Sequence, residues 1–490
     1  MEGTEIRNRT DPDLSMPGQD TRESSTQTDC RLQGHGPRLS KVNLFTLLSL
    51  WMELFPQEQP AEDEPSEIRR VGLVVVQDSK VVGLHCSGPE LHAGQAAIIQ
   101  HGASLADCHL YFSRRPCATC LKMIVNAGVS QISFWPGDPE VSMLRSSSAN
   151  TSSSQNPPRS IPEEAALDAV AAEKLKSNSR PHICVLLQPP APGLGPVCLR
   201  DVQRLERTRH LKDFSSQLLV RTSLQHREIL THMGLEDFCV EPHFSNLRNN
   251  MTELVEVLAA VAAGLPQQHY GFYREQHLAP GPSVASLLTP HEGLSQEVVR
   301  HCIIQARLLA YRTEDPKVGV GAVIWAKGAS AGSDGTGCLY LLGCGYNAYP
   351  AGSQYAEYPQ MDNKQEDRQR RKYRYIVHAE QNALTFRTRH IKPEEHTMLF
   401  VTKCPCDECV PLIRGAGITH IYTSDQDRDK DKGEISYLRF SSLKNISKFI
   451  VNGFGGKHGR PEEQESHSNK KLCTHRSNIH PSAETAHGYM

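Results

Sequence analysis

Charge of one sign is not in excess in this 490-residue chain: 53 Lys and Arg stand against 55 Asp and Glu, for a formal net charge of −2. Aromatic residues are scarce as well, at 6%. Phosphate-rich surfaces are bound by clustered Lys and Arg, and single strands by grooves of stacked rings. A polynucleotide partner is therefore not expected. Long apolar runs are also missing. The run at 42–55 is too short and too interrupted to span a bilayer, so no membrane partner is expected. The first 29 residues are polar, so no secretory leader is expected. The 15 cysteines are accordingly expected in a reducing intracellular compartment, cytoplasmic or nuclear, as metal ligands or core residues.

What is present is length enough for two to three domains. With 38% hydrophobic residues and 31 prolines, part of the chain is expected to be unfolded. The tails at 1–38 and 451–490 are polar and aperiodic, and both read as disordered. At 39–67, Leu44, Leu47, Leu48, Trp51, Met52 and Phe55 fall at helical spacing ahead of an acidic linker. Such a face docks on a neighbouring domain more often than it serves as a leucine-spaced export signal. From 68 to 140 strands alternate with helices, the mark of an α/β layer. A Ser- and Pro-rich linker opens the stretch 141–290, which holds helical periodicity around 205–232 and 247–265 but no motif. A second α/β segment follows at 291–450.

The two α/β segments are copies. Leu91-His92-Ala93-Gly94-Gln95-Ala96-Ala97-Ile98 aligns with Val377-His378-Ala379-Glu380-Gln381-Asn382-Ala383-Leu384. Pro116-Cys117-Ala118-Thr119-Cys120 aligns with Pro405-Cys406-Asp407-Glu408-Cys409. From His to first Cys the spacing is 25 residues in one copy and 28 in the other, a difference that a loop absorbs. Repeats on this scale set the architecture.

In the second copy, H-x-E followed by P-C-x-x-C is the signature of zinc nucleobase deaminases. Catalytic zinc takes three protein ligands and leaves the fourth position to water. Here His378 offers a ring nitrogen, and Cys406 and Cys409 offer two thiolates at a helix start, where the backbone dipole favours negative charge. Glu380 is the expected general acid and base, moving protons from the water to the ring and on to the departing ammonia. A structural site would close its shell with a fourth Cys or His. Cys404 stands two residues before Cys406, at an expected strand end that points it elsewhere.

Residues 295–425 resemble the cytidine/deoxycytidylate deaminase superfamily, and within it the deoxycytidylate deaminase branch. The resemblance rests on Tyr375-Ile376-Val377-His378-Ala379-Glu380, on Gly345-Tyr346-Asn347-Ala348-Tyr349-Pro350 and on Pro405-Cys406-Asp407-Glu408-Cys409. It implies two three-layer α/β/α domains around mixed sheets, zinc as cofactor, and a free deoxycytidine or cytidine nucleoside or nucleotide as small-molecule substrate. It further implies that Asn347 meets the sugar or phosphate side and the Ala379 backbone the pyrimidine edge. A homo-oligomer is expected. An AID/APOBEC-like editor of single-stranded polynucleotide is the alternative, since such proteins also pair an active with a degenerate copy. The basic run 368–374 reads as a phosphate site, a solvated loop or a nuclear localisation signal.

The first copy keeps His92, Cys117 and Cys120 as a possible second zinc site but has Gly94 in place of the glutamate. It is expected to bind metal without turnover.

Overall fold

The computed structural model describes residues 38–56, 70–88, 91–140, 161–191, 201–264, 272–274, 294–315, 318–328, 335–352, 358, 372–424, 427–432 and 435–451. Nearly all of both tails, the linker at 145–159 and the basic residues 368–371 lie outside them.

The first copy runs α1 (Lys41–Glu53), β1 (Gly72–Gln77), β2 (Lys80–Cys86), α2 (Ala93–His101), β3 (His109–Phe112), α3 (Ala118–Asn126), β4 (Gln131–Phe134), α4 (Ile161–Ser177) and β5 (His182–Cys184). Its sheet has the order β2-β1-β3-β4-β5. β1 is antiparallel to both neighbours, while β3, β4 and β5 are parallel. Then come α5 (Asp201–Leu218), α6 (Ser223–His232), α7 (His243–Ala263) and the short β6 (Phe272–Arg274).

The second copy repeats the plan with α8 (Gln296–Ala310), β7 (Gly321–Lys327), β8 (Leu339–Tyr346), α9 (Ala379–Thr385), β9 (His396–Val401), α10 (Cys409–Gly415), β10 (His420–Ser424), α11 (Leu438–Ser441) and β11 (Ser447–Val451). Its sheet order is β6-β11-β10-β9-β7-β8, again mixed. Alternation along β7 makes the layers. Val323 and Trp325 share a core cluster with α8, whereas Ala322, Ile324 and Ala326 share one with residues of α9 and α10. The expected three-layer α/β/α domain with a mixed sheet is the one observed.

One glycine per copy allows the first helix to lie on the first strand. A Cβ at Gly72 would sit 2.0 Å from the Ser49 carbonyl oxygen of α1, and one at Gly321 would sit 1.9 Å from that of Ala306 in α8. Only glycine admits such an approach of backbone to backbone. Each helix starts on a serine cap: Ser40 Oγ accepts from Asn43 N–H, and Ser295 Oγ from Val298 N–H. The helix expected to present one apolar face is thus the opening helix of the first copy. It is buried on every side, polar positions included. Asn43 exchanges hydrogen bonds with Gln188, and Glu53 pairs with Arg114.

The stretch without a motif is a helical layer joined to both copies. Val255, Leu258 and every residue from Ala259 to Ala263 are buried where α7 runs beside α1 and α8. Helix α5 stops before Val220, and Thr222 starts α6 by accepting the Gln225 N–H at 3.2 Å. None of the described helices is long and apolar enough to cross a membrane.

Candidate active site

His378 is the N-cap of α9, in extended backbone, and its N–H donates to the Gln381 side chain at 2.8 Å. This reciprocal cap aims the imidazole out of the helix start. Facing it, Cys406 lies in the turn before α10 and Cys409 opens that helix. The His378 Nδ1 atom is 3.2 Å from Cys406 Sγ and 3.3 Å from Cys409 Sγ. All three donor atoms lie within 4.8 Å of one another. Glu380, in the first turn of α9, is 4% exposed. Cys404 is buried but stands apart from this trio, its thiol turned to the Pro405 carbonyl at 3.8 Å.

The protonation of the group follows from burial and close contact. The Cys409 thiol donates to Cys406 and, against the cost of burial and with help from His378, holds the Cys406 thiol at about 4. Burial alone would lower the His378 imidazole, but its hydrogen bond with Cys406 and the charge of that thiolate outweigh it and lift the ring to about 9. Burial raises the Glu380 carboxyl to about 7, with the His378 charge opposing. A carboxyl in that range can both accept and give up a proton near neutral pH.

His378, Glu380 and Cys406 line one side of a cleft. The other walls are Val318, Val320, Asn347, Tyr373, Ile376, Ala379, Lys403, Cys404, Ile435, Tyr437 and Asp315. Asn347 organises one wall: its Oδ1 accepts from Val320 N–H at 2.8 Å and from the Thr313 hydroxyl at 2.7 Å, and its Nδ2 donates to the Val318 carbonyl at 2.8 Å. A primary amide has a second N–H to offer. Ala379 is wholly buried at the start of α9.

Two features of the cleft have no signal in sequence spacing. Lys372, read as part of a basic run, is fully buried and paired with Asp315 at 2.7 Å, side chains 0% and 1% exposed. Its charge is used inside the fold. At the other wall Lys403 lies 2.9 Å from Asp427, which also holds Lys432 and has Lys430 at 3.9 Å. Burial would raise the Asp427 carboxyl, but Lys432 and Lys403 keep it below the ordinary range.

In the first copy His92 caps α2, as His378 caps α9, and Cys117 is the N-cap of α3, whereas its counterpart Cys406 lies in the turn before α10. His92 Nδ1 is 3.5 Å from Cys117 Sγ, and Cys120 lies with them. Gly94 stands where the glutamate would be. A Cβ there would be 3.0 Å from Cys120 Cβ and 3.1 Å from its Sγ. The sites therefore differ in their room as well as in one residue.

One nitrogen and two sulfur donors, converging from two helix starts onto one point beside a cleft, suit a tetrahedral zinc that keeps one position open. Soft thiolates disfavour magnesium or calcium.

The model of the cytidine and deoxycytidylate deaminase zinc-binding region matches residues 48–135 and 295–424, one match per copy. A cytidine and dCMP deaminase domain-containing protein 1 of Danio rerio is 54% identical over 468 residues, covering 90% of this chain and 96% of its own. The Homo sapiens deoxycytidylate deaminase is 32% identical over 137 residues, 28% of this chain and 70% of its own. A dCMP deaminase structure from the cyanophage S-TIM5 aligns at 24% identity over 27% of this chain and 85% of that chain, with a TM-score of 0.19.

Proposed function

The chain belongs to the cytidine and deoxycytidylate deaminase family, and on that footing we propose that its second copy hydrolyses the 4-amino group of cytosine in a free deoxycytidine or cytidine nucleotide or nucleoside. Membership makes it a deaminase of cytosine-type substrates. The observation that carries the finer reading is Glu380: a buried carboxyl beside His378, Cys406 and Cys409 that lines a cleft.

His378, Cys406 and Cys409 would hold the zinc. When bound, such an ion supplies Lewis acidity that makes hydroxide available from water near neutral pH. Glu380 takes a proton from the attacking water and hands it to ring N3 as the new bond to C4 forms. It then serves the amino group, which leaves as ammonia while the C4 carbonyl of uracil is restored. The Ala379 backbone meets the pyrimidine edge, and the Asn347 Nδ2 atom offers its second N–H to a sugar or phosphate oxygen. Tyr373 and Tyr437 wall the cleft and keep water from the ring.

A phosphorylated substrate is favoured over a nucleoside. Lys403 is on the cleft wall, and it shares the Asp427 carboxylate with Lys432, so that its ammonium is only partly committed to the fold and can meet a phosphate oxygen.

Purified protein and its Glu380→Gln variant, offered deoxycytidine, cytidine, dCMP, dCTP and a single-stranded oligonucleotide, test the reading through ammonia and uracil release. Turnover of free nucleotides by the wild type and its loss in the variant are expected. Equal rates in both would end the assignment of Glu380, and turnover of the oligonucleotide alone would move the protein to the polynucleotide class.

A further inference from the structure

We propose that Glu140 closes the metal site of the first copy, making His92, Cys117, Cys120 and Glu140 a four-coordinate structural zinc site with no position left for water. This does not depend on which substrate the second copy takes.

Four donor atoms, one from each of these residues, lie within 4.8 Å of one another. Their residues are 5%, 0%, 0% and 4% exposed, in that order. One Glu140 oxygen is 2.8 Å from His92 Nδ1, and the other accepts the Cys117 N–H at 2.9 Å. The carboxylate therefore sits between the two helix starts that present the other donors.

It is also held there. The Glu140 N–H donates to the Arg115 carbonyl at 3.0 Å, and the segment leading to it is tied down on both sides. Trp135 Nε1 donates to the Leu218 carbonyl at 2.7 Å, His226 Nε2 donates to that of Pro136 at 2.7 Å, and Arg114 donates to that of Asp138 at 3.3 Å. Asp168 of α4 accepts the Ala118 N–H at 2.8 Å, fixing the start of the helix that carries Cys120. The helices between the copies thus brace this site, which gives the stretch without a motif a task.

The second copy does otherwise. There the acidic residues after β10 go to other partners: Asp427 turns to Lys403 and Lys432, and Asp429, which aligns with Glu140 when the repeats are matched without a gap, accepts from the Ser441 hydroxyl at 2.6 Å. Among the described residues only three ligating groups converge there, and the cleft occupies the fourth direction. In the first copy the proton carrier is gone at Gly94 and a carboxylate has arrived from the far side of the site. A buried carboxylate beside two cysteines is costly unless a cation compensates it. Nitrogen, two sulfurs and one carboxylate oxygen form a donor set that zinc accepts.

The test compares wild type, Cys117→Ser, Glu140→Gln and Glu140→Ala as full chains. Glu140→Gln keeps the size and the hydrogen bonds of the side chain, so its fold is expected to survive, with circular dichroism as the check. Metal analysis should give two zinc ions per wild-type chain and one in Cys117→Ser. Release to a chelating dye should quicken at least tenfold for one of the two ions in Glu140→Gln. With cobalt substituted for zinc, azide should perturb about half of the visible absorption of the wild type, from the open second copy, and nearly all of it in Glu140→Ala. One zinc per chain, unchanged in Cys117→Ser, would overturn the proposal and leave Glu140 as an ion-pair partner of His92. Two ions whose release and azide response ignore both Glu140 variants would overturn it equally.

Discussion

Trp51 of α1 lies flat on His301 of α8, ring centroids 4.5 Å apart and planes 10° apart, and its indole N–H donates to the His301 carbonyl at 3.0 Å. Each residue belongs to the opening helix of its copy, so this contact joins the repeats. Gln305 extends the join, accepting from the Trp325 indole at 3.0 Å and donating to Met52 Sδ at 3.2 Å.

Truncating the ring should loosen the pair of copies. Trp51→Ala is expected to cost about 3–5 kcal/mol, the range for large-to-small changes in a core. Trp51→Phe should cost less, because it keeps a ring and loses one hydrogen bond of about 1 kcal/mol. Thermal melting of the two variants beside wild type checks the order; equal midpoints for all three would remove the join from the stability argument.

Acid should destabilise the fold, at this join through His301 and within the first copy through His85. Burial, with the charges of Arg70 and Arg300, holds the His301 imidazole well below its ordinary 6.5, and burial beside His101 takes His85 to about 3. Both rings are neutral when folded and protonate on unfolding as soon as the pH is under 6.5. Stability that is complete above 6.5 is therefore lost as pH falls, for His85 down to about 3, at about 1.4 kcal/mol per pH unit for each ring. Urea melts between pH 7.5 and 5 should show a shallower slope in His301→Gln than in wild type.

The Asp315–Lys372 pair sets the cleft wall. Lys372→Met strands a carboxylate that is 1% exposed, at a cost of about 3–5 kcal/mol. Asp315 Oδ1 also accepts the Val318 N–H at 3.2 Å, in the loop that Asn347 grips. Adding Asp315→Asn to Lys372→Met should recover much of the melting temperature. The KM should stay raised, because the loop loses its ionic anchor. Full recovery of KM would show that the pair serves stability alone.

Lys403 should discriminate by phosphate. Lys403→Gln is expected to raise KM for dCMP or dCTP about tenfold, the effect of losing one charge-assisted contact of roughly 1.4 kcal/mol, and to leave deoxycytidine within about twofold. Rates measured at rising salt should converge for the two proteins on the phosphorylated substrates. An equal effect on the nucleoside would place Lys403 in the fold rather than at the phosphate.

Much of the second site was legible along the chain because helix caps are local. His378 and Glu380 share one turn, and Cys406 and Cys409 share the next helix start, so short spacings carry the geometry. The amphipathic run at 42–55 was legible only as a helix with an apolar face. Its burial on all sides rests on Gln188 and Arg114, partners far away in the sequence, which no local pattern reveals. Likewise nothing around Lys372 distinguishes it from its arginine neighbours until Asp315 is seen beside it.

The chain on its own pointed to two copies, a candidate set of three metal donors in each, and an H-x-E carboxylate in the second copy alone, because each of these is written in residue order and near spacing. Only the tertiary structure decided that the copies join through Trp51 and His301, that the helices between them brace the first site, and that Glu140 enters it. Those contacts unite residues from 23 to 250 positions apart, and the packing that selects such partners is a property of the folded chain as a whole.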